Sequence, residues 1–261
     1  MPNGRVRLDR ALSKLNILSR AQAIEAIRAG RVIVNGRIIL DPGVLVWPER
    51  ASIAVDGQRQ RRAPWRTILF HKPRGVVTTR HDPEGRRTIY DVLGSAGVGL
   101  IPIGRLDFAT SGLLLLTNDT RLADWITDPC HDVARVYVVT TRGSVTESDL
   151  LRLKSGVTVR GEQLRAHAVR LRKKSTRESH LMIELREGKY REIRRLLDAL
   201  GHPVRRLKRV RLGGLELDVL EPGQWRDVST EEIANAFPGA IGRYRRSAPA
   251  VTPRAPARSG R

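Results

Sequence analysis

Two spacings of apolar residues alternate along the first quarter of the chain. Leu8, Ala11, Leu12 and Leu15 fall three and four apart, as on one face of a helix, and the same spacing returns after Ser19 in Ala23, Ile24 and Ile27, until Gly30. Two short helices are predicted, the second capped by the serine. The run RVIVNGRIIL then sets β-rich segments on either side of Asn35-Gly36, a pair that accepts the positive φ angles of a tight hairpin turn. Asp41-Pro42-Gly43 predicts a further turn and residues 52–55 a short strand.

Residues 57–66, GQRQRRAPWR, hold four arginines, a proline and no acid, and read as a basic linker that also touches a polyanion. Beyond it the pattern is mostly that of strands. TILFHKPRGVVTT reads as strand, turn and strand, residues 81–87 as a polar loop, 88–93 as a helical turn, and 94–99 as a glycine-rich connection. The solid apolar run 113–116 is too short to cross a membrane and has no helical spacing, so it predicts a core strand. Residues 122–126 read as helical and 134–140 as a strand. Segments 157–159, 164–171 and 181–185 alternate as half-buried antiparallel strands do. Ile193, Leu196, Leu197 and Leu200 form one helical stripe stopped by Gly201 and Pro203, and residues 205–211 carry five cations in a predicted strand. Many strands and few helices predict an α+β protein. A small helix-hairpin domain spans residues 1–56, a linker 57–66, a mixed, mainly antiparallel sheet domain 67–237, and a disordered, Arg-, Pro- and Ala-rich tail 238–261.

Charge narrows the partner. With 48 basic against 27 acidic residues the formal net charge is +21, which implies a polyanion. Nucleic acid is the first candidate. An anionic membrane surface is second and weaker, because the basic stretches lack a companion apolar face. Cys130 is the only cysteine, so no intrachain disulfide can form, and the opening MPNGRVRLDR has no apolar signal core; both predict a cytoplasmic protein. The six histidines, at 71, 81, 131, 167, 180 and 202, show no ligand spacing, and neither a Walker loop nor a dinucleotide fingerprint occurs. No metal and no organic cofactor are expected.

Residues 104–119, GRLDFATSGLLLLTND, bring Arg105 and Asp107 together at the mouth of the predicted core strand. Alone, an Asp among Gly, Thr and Ser reads as a turn cap or as the partner of Arg105. The pattern G-R-L-D followed by T-x-G-L-L-L-L-T-N-D, however, resembles the signature of RNA pseudouridine synthases, which implies that Asp107 is the catalytic nucleophile. Lys72-Pro73-Arg74-Gly75 resembles an element those enzymes place ahead of the catalytic loop. ARVYVVT resembles the element carrying their active-site tyrosine, here Tyr137, with Arg135 where a lysine is usual. EGKYREIRRLLDALGHPVRRLKRVRLGGLEL resembles a third block, which implies that Arg194 pairs with the carboxylate, although Arg191-Glu192 stands where the family often has His-Gln. The first domain resembles the small RNA-binding domain named after the fourth protein of the small ribosomal subunit. There Arg7, Arg10, Arg20, Arg28 and Arg31 lie off the apolar faces as candidate phosphate contacts. Lys72, Arg191, Arg205 and Arg206 are expected to contact RNA as well.

The resemblance implies that the chain isomerises a specific uridine to pseudouridine in ribosomal RNA; a monomer is expected. Pseudouridine formation breaks the bond from ribose to the base nitrogen, turns the base and rejoins it through carbon, so it needs no redox group. A carboxylate divides that task by attack on the base or assists through the ribose, a neighbouring cation orients it, and an aromatic face holds the extruded base. Arg105 shares the carboxylate's support or holds a phosphate. LIPIGRLD and the basic tail lean towards the enzymes of the large ribosomal subunit, and PGQWRDVSTEEI resembles those of the small subunit. The rivals are a noncatalytic ribosome-assembly protein on the same fold and a base-excising glycosylase.

Overall fold

The computed structural model describes residues 4–15, 17–48, 50–59 and 64–240. The expected tail from residue 241 onward, and residues 60–63 of the expected linker, lie outside the described residues. The first helices are Leu8–Lys14 and Arg20–Arg28. Ser19 starts the second with a reciprocal cap: its hydroxyl accepts from Gln22 N at 3.3 Å, and the Gln22 side chain accepts from Ser19 N at 3.0 Å. Leu8, Leu12, Ala23 and Ile27 are fully buried against Val32, Val34, Ile53 and Val55. Asn35 and Gly36 both take positive φ, 51° and 83°, and turn Val32–Val34 back into Arg37–Ile38. A second hairpin at Asp56-Gly57 pairs Gln58–Arg59 with Ile53–Val55, so this sheet reaches Arg59, inside the stretch read from sequence as a linker. The signal was missed because two polar residues on an edge strand carry no alternation.

The larger sheet has nine strands among the described residues. Its main order is Ala168–Lys174, Glu178–Leu185, Arg135–Arg142, Val204–Leu212, Ser111–Thr117, Thr67–Lys72 and Trp225–Asp227, with Leu215–Glu216 and Ile101–Pro102 alongside. Every pairing is antiparallel except that of Val204–Leu212 with Ser111–Thr117. Both faces of Ser111–Thr117 are covered, which is why its sequence is apolar without alternation. Leu114 and Leu116 face one core with Phe70, Val139, Ile183, Ile193 and Leu197, and Leu113 and Leu115 face the other with Leu122, Ile126, Ile233 and Phe237. Each fully buried leucine there contributes about 1.5–3 kcal/mol relative to exposure.

Three local readings change. The strand expected after Lys72-Pro73-Arg74-Gly75 is reduced to one bridge, Val77 with Thr88, because backbone bonds from Val77 to Arg87 and from Ile89 to Val77 hold the segment against a helix start instead of a strand. Segment 164–171 divides: Glu162–Leu164 forms a hairpin with Val157–Val159, and Ala168–Lys174 joins the main sheet. Helices Glu147–Ser155 and Thr230–Ala236 are additional. No helix among the described residues is long and apolar enough to cross a membrane.

Candidate active site

The parallel junction between Ser111–Thr117 and Val204–Leu212 places the candidate chemistry. It pairs Ser111 with Lys208 and Gly112 with Arg209. Only glycine fits at 112: its φ is +112°, and a Cβ would stand 2.6 Å from Arg209 N and closer still to the Arg209 carbonyl. The loop entering this strand carries Asp107.

That loop is held by its backbone. Five successive carbonyls accept hydrogen bonds from elsewhere in the domain. Leu106 O accepts from the Thr78 hydroxyl at 2.8 Å, Asp107 O from Lys72 Nζ at 3.2 Å, Phe108 O from Gly75 N at 2.8 Å, Ala109 O from Arg194 Nη2 at 3.0 Å, and Thr110 O from Lys72 Nζ at 2.9 Å. The carboxyl is left to face a cavity. This cavity, about 230 Å³, is lined by Arg105, Asp107, Arg135, Tyr137, Arg191 and Glu192 among others.

Lys72 is therefore not a surface contact for RNA. It is fully buried, and its ammonium also donates to Pro73 O at 3.0 Å. Burial pushes its pKa down to about 8, against the pull of Asp107. The apolar strand TILFHK places it: both faces of Thr67–Lys72 are covered, so its last side chain goes inward.

The ion pair to Asp107 comes from Arg191, Nη1 to Oδ2 at 3.7 Å, rather than from Arg194. Arg191 takes a left-handed conformation, φ 46°, as it enters helix Glu192–Ala199, which turns its guanidinium to the cavity. Arg194, one turn along, donates to Ala109 O and to Val204 O at 3.3 Å. Its charge still acts on Asp107, while burial and then Arg191 lower its own pKa. Arg105 is exposed at the cavity rim without a side-chain partner among the described residues. Tyr137, 9% exposed, belongs both to the core and to the cavity wall. Its hydroxyl makes no hydrogen bond among the described residues.

Three further wall residues were not read as site residues. Arg135 is buried, donating to Val133 O, Arg186 O and Ile126 O, and burial pushes its pKa down. Arg209 is 3% exposed and donates from Nε to Leu113 O at 2.7 Å. Glu192 is 3% exposed, and burial followed by the neighbouring Glu187 pushes its carboxyl up to about 8. Within REIRR and RRLKRVR the charges of Glu192 and Arg209 look solvated, and only the helix and strand placements turn them inward.

Expected RNA contacts divide in two. Arg205 and Arg206 are exposed on their strand, and Arg10 and Arg28 are exposed without side-chain partners among the described residues. Arg7 and Arg20 pair with the fully buried Asp9, at 3.1 and 3.3 Å. Burial opposes ionisation of Asp9, but the hydrogen bonds from Arg7, Arg20 and Arg10 N outweigh it and lower its pKa. Arg31 grips Asp56 through two 2.6 Å bonds. These three arginines keep about half their side-chain surface exposed. Asp128, Cys130 and His131 bring one potential ligand atom each within 4.8 Å of one another, a cluster not evident from histidine spacing. It lies off the cavity lining and is occupied with its own turn, where Asp128 accepts from Cys130 N and His131 bonds Trp125 O.

Comparison with known proteins agrees with this geometry. Residues 66–199 match the model of the RNA pseudouridylate synthase family, and residues 6–49 match the S4 domain. The chain belongs to the RNA pseudouridylate synthases. It is 35% identical to an uncharacterized RNA pseudouridine synthase of Aquifex aeolicus, over 89% of this chain and 94% of that protein. It is 34% identical to the ribosomal large subunit pseudouridine synthase B of Bacillus subtilis, over 87% and 93%. A crystal structure of a pseudouridylate synthase superposes with a TM-score of 0.61 at 30% identity, covering 89% of this synthase and 99% of that chain. The synthase is thus an isomerase with an S4 domain ahead of its catalytic sheet.

Proposed function

We propose that this synthase converts one uridine of large-subunit ribosomal RNA to pseudouridine with Asp107 as the nucleophilic carboxylate, acting as a cytoplasmic monomer. The observation that carries the reading is the Asp107 loop: five consecutive backbone carbonyls are tied down, and the one carboxyl on it opens into a cavity walled by Tyr137 and cations. Preorganisation of this kind serves a displacement at a glycosidic bond, since a misplacement of about 1 Å can cost roughly a hundredfold in rate. The uridine enters extruded from its stack, because neither attack on the base nor assistance at the ribose can occur inside a helix. Tyr137 holds the base face, Arg191 orients the carboxylate, and Arg194 fixes the loop. The C1′–N1 bond breaks, the base turns, the C1′–C5 bond forms, and the C5 proton leaves as N1 gains one, so atoms balance without a cofactor.

Large-subunit RNA is favoured by the relatives of that name, from Bacillus subtilis and from Vibrio cholerae at 36% identity. Docking falls to the S4 domain through Arg10 and Arg28, with Arg7, Arg20 and Arg31 held by Asp9 and Asp56 in fixed positions. Arg205 and Arg206 extend the basic surface. Mapping carbodiimide-resistant uridine adducts in ribosomal RNA from a deletion strain and its parent tests the assignment. One pseudouridine missing from the large-subunit RNA is expected. An unchanged map overturns the activity, and a missing site in the small-subunit RNA overturns the substrate.

A further inference from the structure

Beside Asp107 the cavity contains two carboxyl groups that the proposed chemistry does not use. Glu187 and Glu192 both line it, and their side chains stand within hydrogen-bonding reach of each other. Glu192 is 3% exposed; among the described residues no side chain donates to its oxygens, and only the Lys189 backbone N–H approaches them, short of full hydrogen-bond geometry. The nearby cations are otherwise engaged. Lys189 is bound to Glu187 at 3.0 Å and to Gln163 O at 2.8 Å, and Arg135 to three carbonyls. Burial and then Glu187 favour the protonated form of Glu192, whereas Glu187, about a third exposed, is kept ionised because hydrogen bonds from Lys189 and Glu192 outweigh its burial. Between the pair runs the segment that delivers Arg191 to Asp107. Its ties are Lys189 to Glu187 and Gln163 O and the bonds from Arg195 to Tyr190 O and Arg191 O, while Tyr190 is 70% exposed and Arg191 is held in the left-handed region.

We propose that Glu192 is a positioning residue: its carboxyl donates a proton-bearing hydrogen bond to Glu187, and this bridge closes residues 187–191 so that Arg191 meets Asp107. The inference rests on the proposed role of Asp107. The charged and titratable groups facing the pair are Lys189 and Arg191 from the same segment, Arg165 from the approach to Ala168–Lys174, and Arg135 and Tyr137 from Arg135–Arg142. Arg209 faces it from Val204–Leu212. Burial and Glu187 hold the proton on Glu192 through neutral pH.

Single-turnover release of tritium from C5-labelled uridine, in a protein-free large-subunit ribosomal RNA transcript at saturating enzyme, tests the bridge. Glutamine is neutral and keeps a donor, so Glu192→Gln should turn over within about twofold of the parent near pH 7. With the carboxyl near 8, about a tenth of the parent keeps the proton one unit higher, so the ratio of Gln variant to parent should rise about tenfold near pH 9. Taking the ratio cancels the titration of Lys72 and of the uracil. Glu192→Leu, which cannot donate, should be slow at both pH values while its melting transition shows a folded protein. A ratio that stays flat between the two pH values overturns the proposal, as does a folded Leu variant with the parent rate. If the Leu variant does not fold, the Gln ratio alone decides. A parent inactive near pH 7 on a transcript containing the mapped site overturns the proposed function itself, a result distinct from either of these.

Discussion

Replacing Lys72 with methionine separates two roles for that side chain, a contact with RNA and a brace for the Asp107 loop. The side chain is fully buried, and its ammonium donates to three carbonyls, two of them within the loop. Methionine keeps most of the volume and the apolar stem. Each buried acceptor left unpaired costs about 1–3 kcal/mol. Against this, a lysine whose pKa falls from 10.5 to about 8 destabilises the fold by roughly 3 kcal/mol at neutral pH while it is charged, and the variant is relieved of that cost. The sign follows from the depressed value: the parent gains stability as pH rises from about 8 towards 10.5, and the variant loses this dependence. With three acceptors unpaired and that cost relieved, global stability near pH 7 should fall by about 0–6 kcal/mol, the two effects opposing each other. Catalysis has no such offset. A loop freed by about 1 Å should cost roughly a hundredfold in single-turnover rate. The assay pairs urea denaturation with tritium release at saturating RNA. If Lys72 contacted phosphate instead, the saturated rate would hold and the salt slope of binding would fall by about 0.7–0.9; that result would refute the bracing role.

Gly112→Ala should destabilise the synthase by about 3–5 kcal/mol in urea denaturation, because a Cβ there meets the Arg209 backbone at a positive φ; a loss under 1 kcal/mol contradicts the close approach. Tyr137→Leu should suppress single-turnover rate in a folded protein by removing stacking of about 1–3 kcal/mol, whereas Tyr137→Phe keeps the ring; a normal rate in the Leu variant returns Tyr137 to the core alone. The Arg10→Ala, Arg28→Ala double variant should reduce the salt slope of RNA binding by about 0.7–0.9 per arginine and spare the saturated rate; an unchanged slope removes both from the docking surface.

Periodicity and turn chemistry made the scaffold legible. The spacing of Leu8 to Ile27, the Asn35-Gly36 turn and the apolar run through Leu115 each act through local stereochemistry, and each lies where its pattern indicates. The helices after Thr146 and Ser229 also had a local signal, the capping pairs Thr146 with Asp149 and Ser229 with Glu232, but their apolar stripes are too sparse to stand out. In the site, the Asp107 loop was legible through its motif. The division of labour among the cations was not. Lys72 reads as a surface charge until the sheet covers both faces of its strand, and Arg191 takes the ion pair expected of Arg194, which braces the loop backbone instead, because a left-handed turn at Arg191 decides which guanidinium reaches the carboxyl. Glu192 was hidden in a run of charges, since only its place at the start of helix Glu192–Ala199, on the cavity wall, turns it inward.

The carboxyl of Asp107 is the one acid on a loop whose backbone is fixed from residue 106 to 110. Asp107→Asn keeps the volume and the loop's hydrogen bonds while removing the nucleophile. Measured together on one large-subunit ribosomal RNA transcript, single-turnover pseudouridine formation should fall to background while RNA affinity by filter binding stays at the parent value. An Asn variant that forms pseudouridine at the parent rate would contradict the central claim.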